Sequence, residues 1–94
     1  MAEPQQASEN RELPVSFSSF VVSLATSAMI HMGEGPAQAE APVNLELARQ
    51  TIDVLGLLQE KTKGNLDDEE ARLLETLLYE TRMRYLEKRK AGSA

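Results

Sequence analysis

The sequence predicts an all-α protein in which an N-terminal apolar helix is followed by a flexible linker and an antiparallel αα-hairpin. Two observations support this prediction. Apolar residues recur at helical spacing in the C-terminal half, and capping residues and glycines stand at the ends of three segments. A chain of 94 residues with 41% hydrophobic and 27% charged residues is typical of a single globular domain.

The helical domain is expected over residues 15–90, between flexible tails at 1–14 and 91–94. The N-terminal tail is polar, contains two prolines and shows no apolar periodicity. Without the tails, about 70 residues remain for packing, and so short a chain buries a small share of its surface. Oligomerisation is a standard remedy for a core of this size.

The first helix is predicted over residues 16–33, where Ser16 is a suitable N-cap and Gly33 can take the left-handed conformation that ends helices. No formally charged residue stands between Glu12 and Glu34. This run has three interpretations: a membrane span, a secretion signal, or an amphipathic helix that packs against protein.

The composition of the run favours a helix that packs against protein. A membrane-spanning helix needs about 20 predominantly apolar residues, whereas residues 15–32 include five serines, and the flanks are acidic where an anchor would be basic. A signal peptide begins with a net positive segment, whereas residues 1–12 carry three glutamates and one arginine.

The helix at 16–33 presents two faces that a small monomer has difficulty burying together. One face holds large apolar side chains and is expected to pack against the hairpin or a second subunit. The other holds serines and a threonine, and is expected to lie close to another helix. The candidate interface residues are Phe17, Phe20, Val21, Ser23, Leu24, Ser27, Ala28, His31 and Met32.

A second helix is predicted over residues 45–63, after a linker at 34–42 that is rich in glycine and proline. Asn44 is placed as its N-cap, and Gly64 as the residue that ends it. Gly56 interrupts the helix at a cost of about 1 kcal/mol relative to alanine. We interpret Gly56 as the mark of a close contact with a neighbouring backbone.

A third helix is predicted over residues 68–90, antiparallel to the second because the connection between them is short. Asp67 and Glu70 have the spacing of a capping box at its start. Glu80 and Arg84, one turn apart, are expected to form an ion pair. A small apolar stripe on the far side of this helix predicts a second contact: Tyr79, Met83 and Leu86.

The sequence predicts no catalytic residue, no cofactor and no metal site. The chain has no cysteine, which excludes thiolate chemistry and cysteine-based zinc sites. Ser27 and His31 lie one helical turn apart, but neither an orienting group nor an oxyanion hole accompanies them. His31 is the single histidine, with no second ligand at a metal-binding spacing. We therefore expect a non-enzymatic protein without a small-molecule substrate.

The charge of the chain disfavours nucleic acid as a partner. A net charge of -5 opposes nonspecific attraction to phosphate backbones. The basic residues between Arg82 and Lys90 are interleaved by Tyr85 alone and lack a groove-reading motif. A solvated helix end is the simpler interpretation. RNA or ribosome binding through these residues stays an alternative, as does membrane association through the helix at 16–33.

Three segments of the chain resemble a known family. They are FSSFVVSLATSAMIHMG in the first helix, LARQTIDVLGLLQEKTKGNL in the second and EEARLLETLLYETRMRY in the third. Over about residues 17–85 they are similar to a family of short bacterial proteins, the domain of unknown function 1844. The resemblance implies that residues 24–27, His31 and the turn at 61–66 belong to a recurring pattern. It implies no catalytic residue, cofactor or substrate.

Together these observations predict a cytoplasmic, bacterial, non-enzymatic helical module. We expect it to form a homo-oligomer or to bind another protein through the helix at 16–33.

Overall fold

The computed structural model describes residues 15–34 and 42–93, which form three helices. The helices are α1 (Phe17–His31), α2 (Leu45–Lys61) and α3 (Asp68–Ser93). The predicted all-α class is confirmed, and no strand occurs in these two ranges. The predicted tail at 1–14 and the linker positions 35–41 lie outside the described residues.

Serine side chains begin α1, with Ser16 as the predicted N-cap. The backbone N–H of Ser19 donates to Ser16 Oγ at 3.0 Å, and the backbone N–H of Ser16 donates to Ser19 Oγ at 3.2 Å. The helix ends at His31, so the predicted end at 33 is two residues too late. Gly33 has a φ of 83°, which places the left-handed residue beyond the last helical turn.

The ends of α2 also follow the predicted signals. The backbone N–H of Leu47 donates to Asn44 Oδ1 at 3.0 Å, which confirms Asn44 as the N-cap. The helix ends at Lys61 rather than at residue 63. Gly64 has a φ of 86°, in the left-handed region that glycine adopts without steric cost.

The predicted capping box is present at the start of α3. The backbone N–H of Glu70 donates to Asp67 Oδ1 at 2.8 Å, and the backbone N–H of Asp67 donates to Glu70 Oε1 at 3.0 Å. The helix continues to Ser93, three residues past the predicted end at Lys90. Gly92 alone does not end it, because a helical glycine costs only about 1 kcal/mol.

The helices run up, down and up. The backbone N–H of Asn44 donates to the carbonyl of His31 at 2.7 Å, so the start of α2 lies at the end of α1. Glu34 binds Arg84 and Lys88, which brings the C-terminal half of α3 to the same end of the molecule. α2 is therefore antiparallel to both α1 and α3, and the αα-hairpin forms as predicted.

The hydrophobic core lies where the three helices meet, and each helix contacts the other two. The buried polar residue Thr81 donates its hydroxyl to the carbonyl of Leu77 at 2.8 Å. Because this bond lies within α3, the hydroxyl is satisfied without a partner on another helix. The buried apolar residues are Val21, Ala25, Ala28, Met32, Ala48, Ile52, Leu55, Leu74 and Leu78.

Candidate interaction surface

The nine candidate interface residues are divided between the core and the surface of α1. Val21, Ala28 and Met32 are buried, Phe17, Leu24, Ser27 and His31 are partly buried, and Phe20 and Ser23 are exposed. The three buried residues already pack within their own chain. The exposed and partly buried residues are the ones that another molecule can reach.

A small residue that sequence reasoning omitted, Ala25, completes the buried face of α1. Val21, Ala25, Ala28 and Met32 are all buried, and their spacing of i, i+4, i+7 and i+11 places them on one stripe. The alanines allow neighbouring helices to approach, because the interaxial distance depends on side-chain size at the crossing. The sequence interpretation selected the large residue Phe20 instead, whose side chain is 49% exposed.

The solvent side of α1 carries no charge. We call its four exposed helical residues the α1 surface: Phe20, Val22, Ser23 and Thr26. No aspartate, glutamate, lysine or arginine occurs from residue 15 to residue 33, so the partly buried edges of α1 are uncharged as well. A helix of this composition exposes an apolar and hydroxyl-bearing surface in an otherwise strongly charged chain.

Two exposed residues of α2, Leu47 and Val54, lie on the side of α2 that faces away from α3. A Cβ atom added to Gly56 would lie 3.1 Å from Arg82 Nη2, so Gly56 marks the side of α2 that faces α3. At about 100° per residue, Leu47 and Val54 lie about 160° to 180° around the helix from Gly56. The side of α2 away from α3 therefore also carries exposed apolar side chains.

The close contact predicted at Gly56 exists, but its neighbour differs from the expected one. The group above Gly56 is the guanidinium of Arg82 rather than a backbone segment. A side chain can yield more easily than a backbone. The space above Gly56 therefore constrains the packing of α2 against α3 less than the sequence interpretation implied.

The far side of α3 carries a second exposed apolar surface, and the contact that its sequence pattern predicts is not completed within the described residues. Tyr79, Met83 and Leu86 are exposed by 64%, 41% and 53%. We call these three residues the α3 stripe. Their spacing of i, i+4 and i+7 is that of a seam between two packed helices, yet each of them stays at least two-fifths exposed.

Glu34, just after α1, holds two basic residues of α3. Glu34 Oε2 lies 2.8 Å from Lys88 Nζ, and Glu34 Oε1 lies 2.9 Å from Arg84 Nη1. Lys88 and then Arg84 lower the pKa of the Glu34 carboxyl, since both cations favour its charged form. The predicted pair between Glu80 and Arg84 is thus replaced by a contact with a residue distant in sequence. Two of the basic residues in the alternative of RNA binding, Arg84 and Lys88, are thus engaged within the chain.

The residues considered for catalysis are not assembled into a site. No hydrogen bond joins the side chains of Ser27 and His31, and the described ranges hold no group of three or more histidine, aspartate or glutamate residues arranged for a metal ion. A cleft of about 410 Å³ opens beside the α2–α3 turn, and Thr62 lines it. The Thr62 hydroxyl, just after α2, donates to the carbonyl of Leu58 in the last turn of that helix at 2.7 Å.

The membrane alternative depends on the length and hydropathy of a helix. Among the described residues, none of the three helices combines the length with the apolar character needed to cross a bilayer.

The fold and its exposed surfaces define a small helical bundle with exposed apolar residues on α1, α2 and α3 and without an assembled catalytic site among the described residues. The sequence profile of the family described as "Domain of unknown function (DUF1844)" matches residues 14–87. The chain belongs to this family, as the three sequence segments indicated. Comparison with curated proteins and with solved structures gives no match.

Proposed function

We propose that the chain is a non-enzymatic, self-associating helical module, and that a second copy of the chain covers the α1 surface. The observation that supports the proposal is the half-exposed Phe20 on a helix with no charge at any position. Contiguous apolar surface that stays exposed in a soluble fold is typical of a protein–protein contact.

The net charge of the chain favours self-contact through this surface. Each copy carries a net charge of -5, so most ways of pairing two copies bring like charges together. Contact through α1 desolvates no charged group of that helix, which avoids the penalty of burying an ion. Ser23 and Thr26 are small, and small side chains let two helices approach closely.

The size of the uncharged area also supports an interface. Leu47 and Val54 add apolar side chains on the side of α2 away from α3, and both are about two-fifths exposed. A fully buried apolar side chain contributes about 1.5–3 kcal/mol. Phe20 and these two residues are only partly exposed, so burying each of them contributes part of this amount to the free energy of association, on each of the two copies.

The proposal is tested by replacing Phe20 with glutamate and measuring mass in solution by sedimentation velocity. Phe20 is half exposed, so the monomer fold should survive, which circular dichroism checks. A buried, unpaired carboxylate at the contact should weaken association by about tenfold or more. Ser23→Glu, at a second exposed position of the α1 surface, should act in the same direction.

Asn65→Glu is the matched control, because it adds the same charge at an exposed position of the α2–α3 turn. It should leave the association constant unchanged. Equal effects of Phe20→Glu and Asn65→Glu would show that net charge, rather than the α1 surface, governs association. No effect of either α1 substitution on an assembled wild type would exclude the α1 surface as the contact.

A further inference from the structure

The α3 stripe is unburied and lies on the opposite side of the helix from the core. Leu74, Leu78 and Thr81 mark the core side of α3. At about 100° per residue, Tyr79, Met83 and Leu86 are centred about 140° away from that side. Tyr79 and Met83 therefore point away from the core, whereas Leu86 lines a cleft with Ile52 and Asp53 of α2. The contact proposed for the α1 surface does not cover the stripe.

The charges beside the α3 stripe follow a heptad pattern. With Met83 at position a and Tyr79 and Leu86 at position d, Glu80 and Glu87 occupy position e and Arg82 occupies position g. All three charged residues are exposed, and the Arg82 guanidinium lies over Gly56 of α2. One edge of the stripe is thus acidic near its centre, and Arg82 is the basic residue at the centre of the other edge.

We infer that the α3 stripe is a second self-contact, in which the α3 helices of two copies pack in parallel. In a parallel pair, position g of one helix faces position e of the next heptad in the other helix. Arg82 of each copy then lies beside Glu87 of the other copy. The charges that flank the stripe are complementary to a second copy of the same stripe in this orientation.

An antiparallel pair fits the same charges less well. Position e then faces position e and position g faces position g, which places Glu80 near Glu87 of the other copy and the two Arg82 residues near each other. The parallel arrangement has one unfavourable element, because Glu75 at position g faces Glu80 of the other copy. This repulsion limits the affinity of the dimer. Removing it should therefore tighten the dimer.

Other occupants fit the stripe less well than a second copy. A single-stranded nucleic acid stacks its bases on several aromatic rings, and the stripe offers Tyr79 alone. An anionic lipid surface would be repelled by Glu80 and Glu87 along one whole edge of the stripe. An apolar seam with glutamates on one edge and Arg82 at the centre of the other edge is what a helix of the same sequence complements.

The test uses the full chain with Phe20→Glu, which disables the first proposed contact, and measures mass by sedimentation over a wide concentration range. This chain should still form dimers. Arg82→Glu should weaken the dimer by about tenfold, because two attractive pairs become repulsive. Glu87→Arg should weaken it similarly, and the double reversal Arg82→Glu with Glu87→Arg should restore the original affinity.

Glu75→Lys supplies the opposite test, because it replaces the repulsion with Glu80 of the other copy by an attraction. In the parallel pair it should tighten the dimer several-fold. Lys63→Glu, an exposed charge reversal at the α2–α3 turn, is the control and should leave affinity unchanged. Circular dichroism should show that each variant keeps its helix content.

Each outcome separates the two contacts. A monomeric Phe20→Glu chain at all concentrations would overturn the α3 contact and leave the α1 contact standing if the wild type dimerises. Failure of the double reversal to restore the dimer, or weakening by Glu75→Lys, would overturn the parallel arrangement. A monomeric wild type would overturn both contacts.

Discussion

At the scale of single residues, two glycines with the same backbone conformation have different surroundings. Gly33 and Gly64 have φ values of 83° and 86°, a region that costs other residues about 1–2 kcal/mol. A Cβ atom at Gly64 would meet no atom within 4 Å, whereas one at Gly33 would lie 2.9 Å from Val43 Cγ2. Packing against Val43, as well as the backbone conformation, therefore favours glycine at position 33.

Replacing each glycine by alanine separates the two requirements. Gly64→Ala should lower the free energy of unfolding by about 1 kcal/mol, the conformational cost alone. Gly33→Ala should cost more, because Val43 must move as well. Urea unfolding followed by circular dichroism measures both. Val43→Ala in the Gly33→Ala chain should recover the extra loss, and equal losses for the two glycines would contradict the contact with Val43.

The Glu34 carboxylate predicts a pH dependence with a definite sign. Its pKa is lowered in the folded chain by Lys88 and Arg84, so the folded state binds its proton more weakly than the unfolded state. Its stabilising contribution is fully present above the ordinary glutamate pKa and is lost as pH falls through the lowered pKa.

Comparison with Glu34→Gln isolates this effect from the other carboxylates. The stability difference between wild type and Glu34→Gln should be constant near neutral pH and should shrink below about pH 4. Urea unfolding at a series of pH values measures this difference. A difference that stays the same at low pH would show that the ion pairs with Lys88 and Arg84 do not contribute in solution.

At the scale of helices, local signals specify the starts more accurately than the ends. Asn44 and the capping box of Asp67 and Glu70 were predictable, because each start depends on side-chain oxygens that bind free backbone N–H groups. The ends differ from prediction by two or three residues. A helix can stop anywhere in the turn before a glycine, and nothing in the residues after Lys90 strongly opposes helix.

The capping box provides the prediction at this scale. Asp67→Ala should lower the free energy of unfolding by about 1 kcal/mol, because the N–H of Glu70 loses its acceptor. Asp68→Ala is the matched control, since it removes the same charge from the next position without breaking the box. It should cost only a few tenths of a kcal/mol. Equal losses in chemical denaturation would assign the effect to charge rather than to the hydrogen bond.

At the scale of the whole molecule, the sequence predicts the three helices and their antiparallel hairpin but not which residues of α1 face inward. Large apolar residues and alanines both lie on the apolar side of its helical wheel. Ala25 rather than Phe20 is buried because the helices cross closely. The distance between the helices cannot be predicted from the residues of α1 alone. The contact between Glu34 and Arg84 could not be predicted from the sequence either, because fifty positions separate the two residues.

The exposed surfaces follow from how the helices pack. Alanines at the centre bring the helices together, and Phe20 on α1 remains outside. Tyr79 is exposed because it lies on the side of α3 that faces away from the core. A chain of this size cannot cover all of its apolar side chains alone. The proposed self-association through α1, with the second contact inferred for α3, would cover part of this exposed apolar surface.

The most direct test is the mass of the wild-type chain in solution, measured by sedimentation from about 1 to about 100 μM, the range of ordinary reversible association. The monomer has a mass of 10.4 kDa. The account predicts that the weight-average mass rises to at least twice this value with concentration, and that Phe20→Glu reduces the rise. A mass of 10.4 kDa across the whole range would contradict the account.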